Sequence, residues 1–87
     1  MNTGYIELAA AIIERAVEDC RQAGKAARAG KPVYKIDGEQ SWTTPLDMLI
    51  RTMRWAKSDD FRALSPADQN LQEVMLRTLR RAYDGEI

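Results

Sequence analysis

Histidine is absent from the 87 residues, which removes the commonest general base and the commonest metal ligand. Cysteine occurs once, at Cys20; a lone thiol excludes an intramolecular disulfide and fits a reducing compartment. On an apolar helix face with no histidine to activate it, that thiol reads as a small buried hydrophobe rather than a nucleophile. No apolar run approaches the ~20 residues that span a bilayer, so no membrane association is expected. The opening stretch, MNTGYIELAAAIIERAVED, lacks the charged n-region of a signal peptide, and the chain reads as cytoplasmic. GKAARAGK carries glycines and lysines without P-loop spacing or a preceding strand. The Asp59-Asp60 pair has no matching acidic cluster and is explained as charge at a helix N-terminus. Neither metal nor cofactor is expected, and the protein is expected not to be an enzyme.

Net charge is missing too: thirteen basic and thirteen acidic residues cancel, whereas a dedicated nucleic-acid binder is usually markedly basic. The charge is nevertheless segregated. Arg21 to Lys35 holds Arg21, Lys25, Arg28, Lys31 and Lys35 with no acid, while the preceding twenty residues hold Glu7, Glu14, Glu18 and Asp19 against one Arg15. A chain this short makes one domain, buries only roughly 60–65% of its unfolded surface, and leaves room for a homodimer.

What is present is helical periodicity. Asn2 or Thr3 caps a first helix over about residues 4–29. Tyr5, Ile6, Ala9, Ile12, Ile13, Ala16, Val17 and Cys20 recur at three- and four-residue steps as its apolar face, continued weakly by Ala23 and Ala27. Gly24 weakens the helix by ~1 kcal/mol and is where fraying would begin. Gly30 and Pro32 supply the stop. In residues 32–43, Asp37-Gly38 between VYKI and EQSW signals a hairpin pairing Val33 with Trp42 and Ile36 with Glu39; an irregular loop with a turn at its tip fits as well. A hairpin would lean on the helices through Trp42 and either Val33 or Tyr34.

Thr44-Pro45-Leu46-Asp47 opens a second helix over about 45–57, with a cap, a proline at the first position and a carboxylate at the third. Leu46, Leu49, Ile50, Met53 and Ala56 form its inner face. Ser58 caps a short turn over 59–64 that tucks in Phe61 and Leu64. Ser65-Pro66-Ala67-Asp68 repeats the cap and starts a last helix over about 66–83. Its inner face is Leu71, Met75, Leu79, Ala82 and Tyr83, widened by Val74 and Leu76, with Asp84-Gly85 as the end. The expected fold is mainly α: a small domain of three to four helices over residues 1–87, with a β-hairpin or ordered loop between the first two long helices.

Two segments echo each other, MLIRTMRWA (48–56) and VMLRTLRRA (74–82). Each places two arginines three residues apart beside the apolar face: Arg51 and Arg54, then Arg77 and Arg80, joined by Arg81. The simplest account is the wet side of amphipathic helices, with arginine a strong helix former and complementary to helix C-termini. Glu73 at i,i+4 partly neutralises Arg77. The alternative is an anion surface of Arg77, Arg80 and Arg81, or a stripe of Arg21, Lys25 and Arg28 on the first helix that tracks phosphates. Trp55 stands in line with Met48, one heptad earlier. With Arg51 and Arg54 these residues have the composition of a protein-binding hot spot; they serve equally well as cover for the hairpin, in which case the ridge is core.

AAAIIERAVEDCRQA near the start and WAKSDDFRAL after the middle resemble segments of small proteins encoded by phages and prophages. The shared residues are Ala16, Asp19, Arg21, Ser58, Asp59, Phe61 and Leu64, with Cys20 where those proteins carry an aromatic. The likeness covers about half the chain and leaves GKAARAGKPVYKIDGEQSWT without a counterpart. It implies a genomic setting, one in which compact accessory proteins bind and inhibit or modulate host machinery in the host cytoplasm, and it assigns no functional residue. The expected function is therefore non-enzymatic binding of another protein. Nucleic-acid binding and a role as protomer of a homo-oligomer are the alternatives.

Overall fold

The structure, a computed structural model, describes residues 3–35, 41–64 and 70–87, with side chains from residue 7 onward. It is mainly helical: α1 (Thr3–Arg28), β1 (Tyr34–Lys35), β2 (Trp42–Thr43), α2 (Pro45–Ala56), α3 (Asp59–Arg62) and α4 (Leu71–Asp84). α2 runs back along α1, bringing Met48 beside Ala23 and Trp55 beside Ile12. α4 starts where α2 ends, since the Gln72 amide donates to the Ala56 carbonyl at 2.9 Å. It then climbs α1 until Tyr83 reaches Gly24.

The helix ends follow their chemistry. Thr44 Oγ1 accepts from the Asp47 amide at 3.1 Å behind Pro45. α1 closes on Gly30 at φ 74°; Gly30 N–H donates to Ala27 O and Lys31 N–H to Ala26 O, at 3.1 and 2.9 Å. α4 closes in the same way on Gly85 at φ 82°, with Glu86 N–H donating to Arg81 O at 2.9 Å. In both, a left-handed glycine satisfies carbonyls that the helix leaves open. The Ser65–Asp68 cap motif lies outside the described residues, as do the side chains of Tyr5 and Ile6. The described part of α4 begins at Leu71 after Asn70, which makes no side-chain cap bond.

The core lies deeper along α1 than the periodicity suggests. Ala16, Cys20, Ala23 and Ala26 are buried; Ile13 and Val17 are half-buried, and Leu8 and Ile12 are exposed. Ala23 is fully buried, and Ala27 is exposed. Length explains the shift. At 1.5 Å per residue, the 26-residue α1 reaches about 39 Å while α2 and α4 reach about 18 and 21 Å. Both stack along α1 from about Ile12 onward, and Leu8, Ala10 and Ala11 ahead of it are exposed.

α2 is also rotated from its expected inner face. Met48, Leu49, Thr52 and Ala56 are buried, Met53 is half-buried, and Leu46 and Ile50 are exposed. A threonine can turn inward because its hydroxyl is satisfied within the helix, donating to the Met48 carbonyl at 2.8 Å. In α4, Met75, Leu79 and Ala82 are buried as expected, whereas Val74 is half exposed to solvent. Phe61 fills the centre of the core, with Leu64 packed against it.

The strands form a two-stranded antiparallel hairpin, in a register different from that expected. Tyr34 pairs with Thr43 and Lys35 with Trp42, so the partner of Trp42 is Lys35, two residues beyond Val33. A slip of two keeps every side chain on its face. The Asp37-Gly38 turn and the expected Ile36–Glu39 pair lie outside the described residues. Tyr34 packs on the cluster of Ala23 and Met48, whereas Trp42 and Val33 are exposed, so of the three candidates it is Tyr34 that joins the hairpin to the helices.

Candidate functional site

Among the described residues, one surface that combines apolar, aromatic and charged groups is a groove of about 280 Å³ between α1 and α2. α1 contributes Ile12, Arg15, Ala16 and Asp19; α2 contributes Met48, Arg51, Thr52 and Trp55. Helical spacing puts each set on one stripe, at i, i+3, i+4 and i+7. The floor is apolar, made by Ala16, Ile12 and Met48. On the rim Arg15 and Asp19 pair at 3.1 Å, facing Arg51 across the opening. The indole of Trp55 closes one end, edge-on to Phe61 with ring centroids 5.1 Å apart and planes at 77°.

Three of the four residues expected to bind a partner therefore share this groove: Met48, Arg51 and Trp55. Arg54 is exposed in the last turn of α2 and does not line it. Of the two readings of the Met48 and Trp55 ridge, exposed or core beneath the hairpin, Met48 follows the second, since Tyr34 of the hairpin packs on its cluster. Met48 is only 3% exposed and forms floor, because the rotation of α2 turns it toward Ala23. Trp55 is half-buried: its edge contact with Phe61 is structural, and its remaining surface faces the groove. The α1 wall was not singled out from sequence. Its signal is the stripe Leu8, Ile12, Arg15 and Asp19 on a helix too long for its neighbours.

The basic stripes are dismantled by local partners. Arg21 pairs with Glu18 and donates to the Ile87 carbonyl at 3.2 Å, so the stripe with Lys25 and Arg28 is not a free cationic track. Glu18 is held below the usual carboxylate range, first by the hydrogen bond from Gln22 and then by Arg21. Arg28 donates to the Tyr83 carbonyl at 2.6 Å and acts as a cap on α4. Arg77 pairs with Glu73 and Arg80 with Asp84, both at 3.5 Å, and Arg81 with Glu86 at 3.2 Å. Exposed pairs of this kind contribute at most about 1 kcal/mol each, yet each sets a carboxylate beside its guanidinium. The structure also makes a grouping that the stripes do not contain: Lys25, Lys31 and Lys35 line a second groove, of about 310 Å³, with Gln22 and Tyr34.

Cys20 is buried, and burial pushes its thiol up to about 11 despite the Thr52 hydroxyl beside it. A thiol held in that state is a poor nucleophile. Among the described residues no helix is long and apolar enough to cross a membrane, and none groups three or more acidic, cysteine or histidine side chains for a metal ion. Comparison of the chain with models of protein families, with curated proteins and with solved structures gave no match.

Proposed function

We propose that this protein is a non-enzymatic binding module that engages another protein through the groove between α1 and α2. The observation that carries the reading is the groove's make-up: an apolar floor of Ile12, Ala16 and Met48, an aromatic end at Trp55, and charged rims at Arg15, Asp19 and Arg51. Buried apolar anchors inside a polar rim are the anatomy of protein interfaces, where aromatic residues and arginine concentrate the binding energy. The likeness to phage and prophage accessory proteins supports an inhibitor or modulator of a host system, acting in the host cytoplasm, as the role of such a module.

The test uses two exposed groove positions, Ile12→Lys and Arg51→Ala. Surface changes of this kind alter stability by no more than about 0.5 kcal/mol, so both variants fold. Affinity capture from host extract should lose its partner with either one. Equal capture by the parent and both variants overturns the reading.

One observation favours nucleic-acid binding as a second reading: the convergence of Lys25, Lys31 and Lys35 beside Tyr34. It requires binding that falls steeply with salt and that is lost when the three lysines become glutamines. A gel shift at low salt on single-stranded and duplex DNA decides it; no shift at any concentration removes this reading.

A further inference from the structure

We infer that the groove between α1 and α2 is closed by a second copy of the chain, whose Leu8 enters it as α1 packs antiparallel on α1 about a two-fold axis near Ile12. The inference rests on reading the groove as a protein interface and names its occupant in the resting protein; a different partner enters the groove only by displacing the second copy.

Three observations lead there. The first is a stripe that outruns the fold. Leu8, Ile12, Arg15 and Asp19 stand at i, i+4, i+7 and i+11 on one side of α1. Ile12, Arg15 and Asp19 line the groove, while Leu8 continues the same line past the end of α2, 60% exposed. Ala11, three residues on and beside Leu8, is exposed too. Among the described residues, Leu8 and Ala11 therefore make an exposed apolar patch on this side of α1, ahead of Ile12.

The second is self-complementarity. A two-fold interface requires that where residue i meets j, j also meets i. With the axis near Ile12, position 8 of one copy faces position 16 of the other. Ala16 is groove floor, small and four residues beyond Ile12, so it leaves the space that Leu8 would fill. The protruding knob and the hole into which it fits lie on one stripe, symmetric about a single residue. Antiparallel packing also sets the two helix dipoles against each other favourably.

The third is area. The chain exposes 6106 Å², whereas a folded monomer of 9.9 kDa exposes about 5200 Å². The excess over the whole surface is about 900 Å², and Leu8 and Ile12 are among the exposed large hydrophobics that contribute to it; a standard interface takes ~800 Å² from each partner. Shape agrees: the radius of gyration is 13.6 Å and the extents are 44 × 25 × 21 Å, against about 12 Å for a compact domain of this length.

The experiment is light scattering on size-exclusion fractions from low micromolar to near-millimolar protein. It is combined with oxidative cross-linking of an Ile12→Cys variant and, as control, a Glu14→Cys variant on the opposite side of α1. The mass should rise toward twice 9.9 kDa. Leu8→Ala should weaken association about a hundredfold, as roughly tenfold is lost at each of two symmetric sites, and Leu8→Glu should hold the chain monomeric. Ile12→Cys should form a covalent dimer, and Glu14→Cys should not; Cys20 is buried and does not compete. A monomeric parent at every concentration overturns the proposal, and so does a dimer that ignores Leu8→Glu or cross-links equally through both cysteines. A monomeric parent that still captures a different protein through Ile12 and Arg51 sinks only the second copy as occupant. A dimer with no dependence of capture on those residues sinks the wider reading instead.

Discussion

Gly24 of α1 stands against the backbone of Tyr83 in α4. A Cβ at Gly24 would lie 2.6 Å from the Tyr83 carbonyl carbon and 2.9 Å from its Cα, and would overlap the carbonyl oxygen. The obstacle is backbone, so no side chain can swing aside. The glycine that looks like a weak point for α1 is therefore where the two helices touch.

Gly24→Ala should accordingly destabilise the protein by about 3 kcal/mol, although alanine favours an isolated helix by ~1 kcal/mol. For a domain of this size that lowers Tm by roughly 10–20 °C. Gly30, at φ 74° with nothing near its Cβ position, pays only for backbone handedness, and Gly30→Ala should cost about 1 kcal/mol. Thermal melts followed by circular dichroism check both. A Gly24→Ala protein as stable as the parent would mean that α1 and α4 are not in contact there.

Arg28 should prove to be a cap rather than a nucleic-acid contact. Its guanidinium donates to the Tyr83 carbonyl, one of those α4 leaves open at its end, and lies beside Gly85. Arg28→Ala should lower stability by about 1 kcal/mol, the worth of one charge-assisted hydrogen bond at a largely exposed site. Denaturant titration reads that loss, and a gel shift on DNA should be no different between parent and variant. A stability unchanged by Arg28→Ala, with weaker DNA binding, would reverse the assignment.

Much of this was legible in the sequence. Thr44-Pro45-Leu46-Asp47, Ser58 before Asp59, Gly30 and Gly85 mark ends through local chemistry, and these operate in the fold. Burial was less legible because it depends on which helix lies opposite. Nothing in α2 alone shows that Thr52 and Met48 turn inward while Leu46 and Ile50 turn out; the hydroxyl bond to the Met48 carbonyl makes either rotation acceptable to Thr52. Likewise the groove has two walls. The α2 wall carried Met48, Arg51 and Trp55 as an aromatic and arginine signal, whereas Ile12 and Ala16 look like ordinary core until the length of α1 is set against its partners. The hairpin register differs by two from the expected one; either pairing keeps the same faces, so the apolar pattern does not choose between them.

Trp55 should show a divided character. Its edge contact with Phe61 and half-buried surface make Trp55→Ala cost about 2 kcal/mol, less than the 3–5 of a fully buried tryptophan. Ser58 next to it ties α2 to α3, donating to the Trp55 carbonyl at 2.5 Å and accepting from the Phe61 amide at 3.4 Å. Ser58→Ala should cost about 1 kcal/mol, and Arg51→Ala, on the open rim, less than about 0.5. Chemical denaturation of the three variants side by side gives the order. Trp55→Ala at the level of Arg51→Ala would show that the indole does not support the core.

Cys20 should make the fold lose stability in alkali. Burial raises its folded pKa from 9.0 to about 11, with Asp19 adding to the rise and Thr52 opposing it. Below pH ~9 both folded and unfolded chains keep the proton, and the thiol introduces no slope. Between about 9 and 11 only the unfolded chain releases it, so unfolding is favoured by up to ~1.4 kcal/mol per pH unit, a loss on the order of 2–3 kcal/mol. Lysines and tyrosines titrate in the same range, so the informative quantity is the difference from Cys20→Ala. That variant forfeits some packing at neutral pH, and its deficit should shrink as the pH rises through this window. A deficit constant from pH 8 to pH 11 would show that the thiol ionises as freely in the folded chain as in the unfolded one.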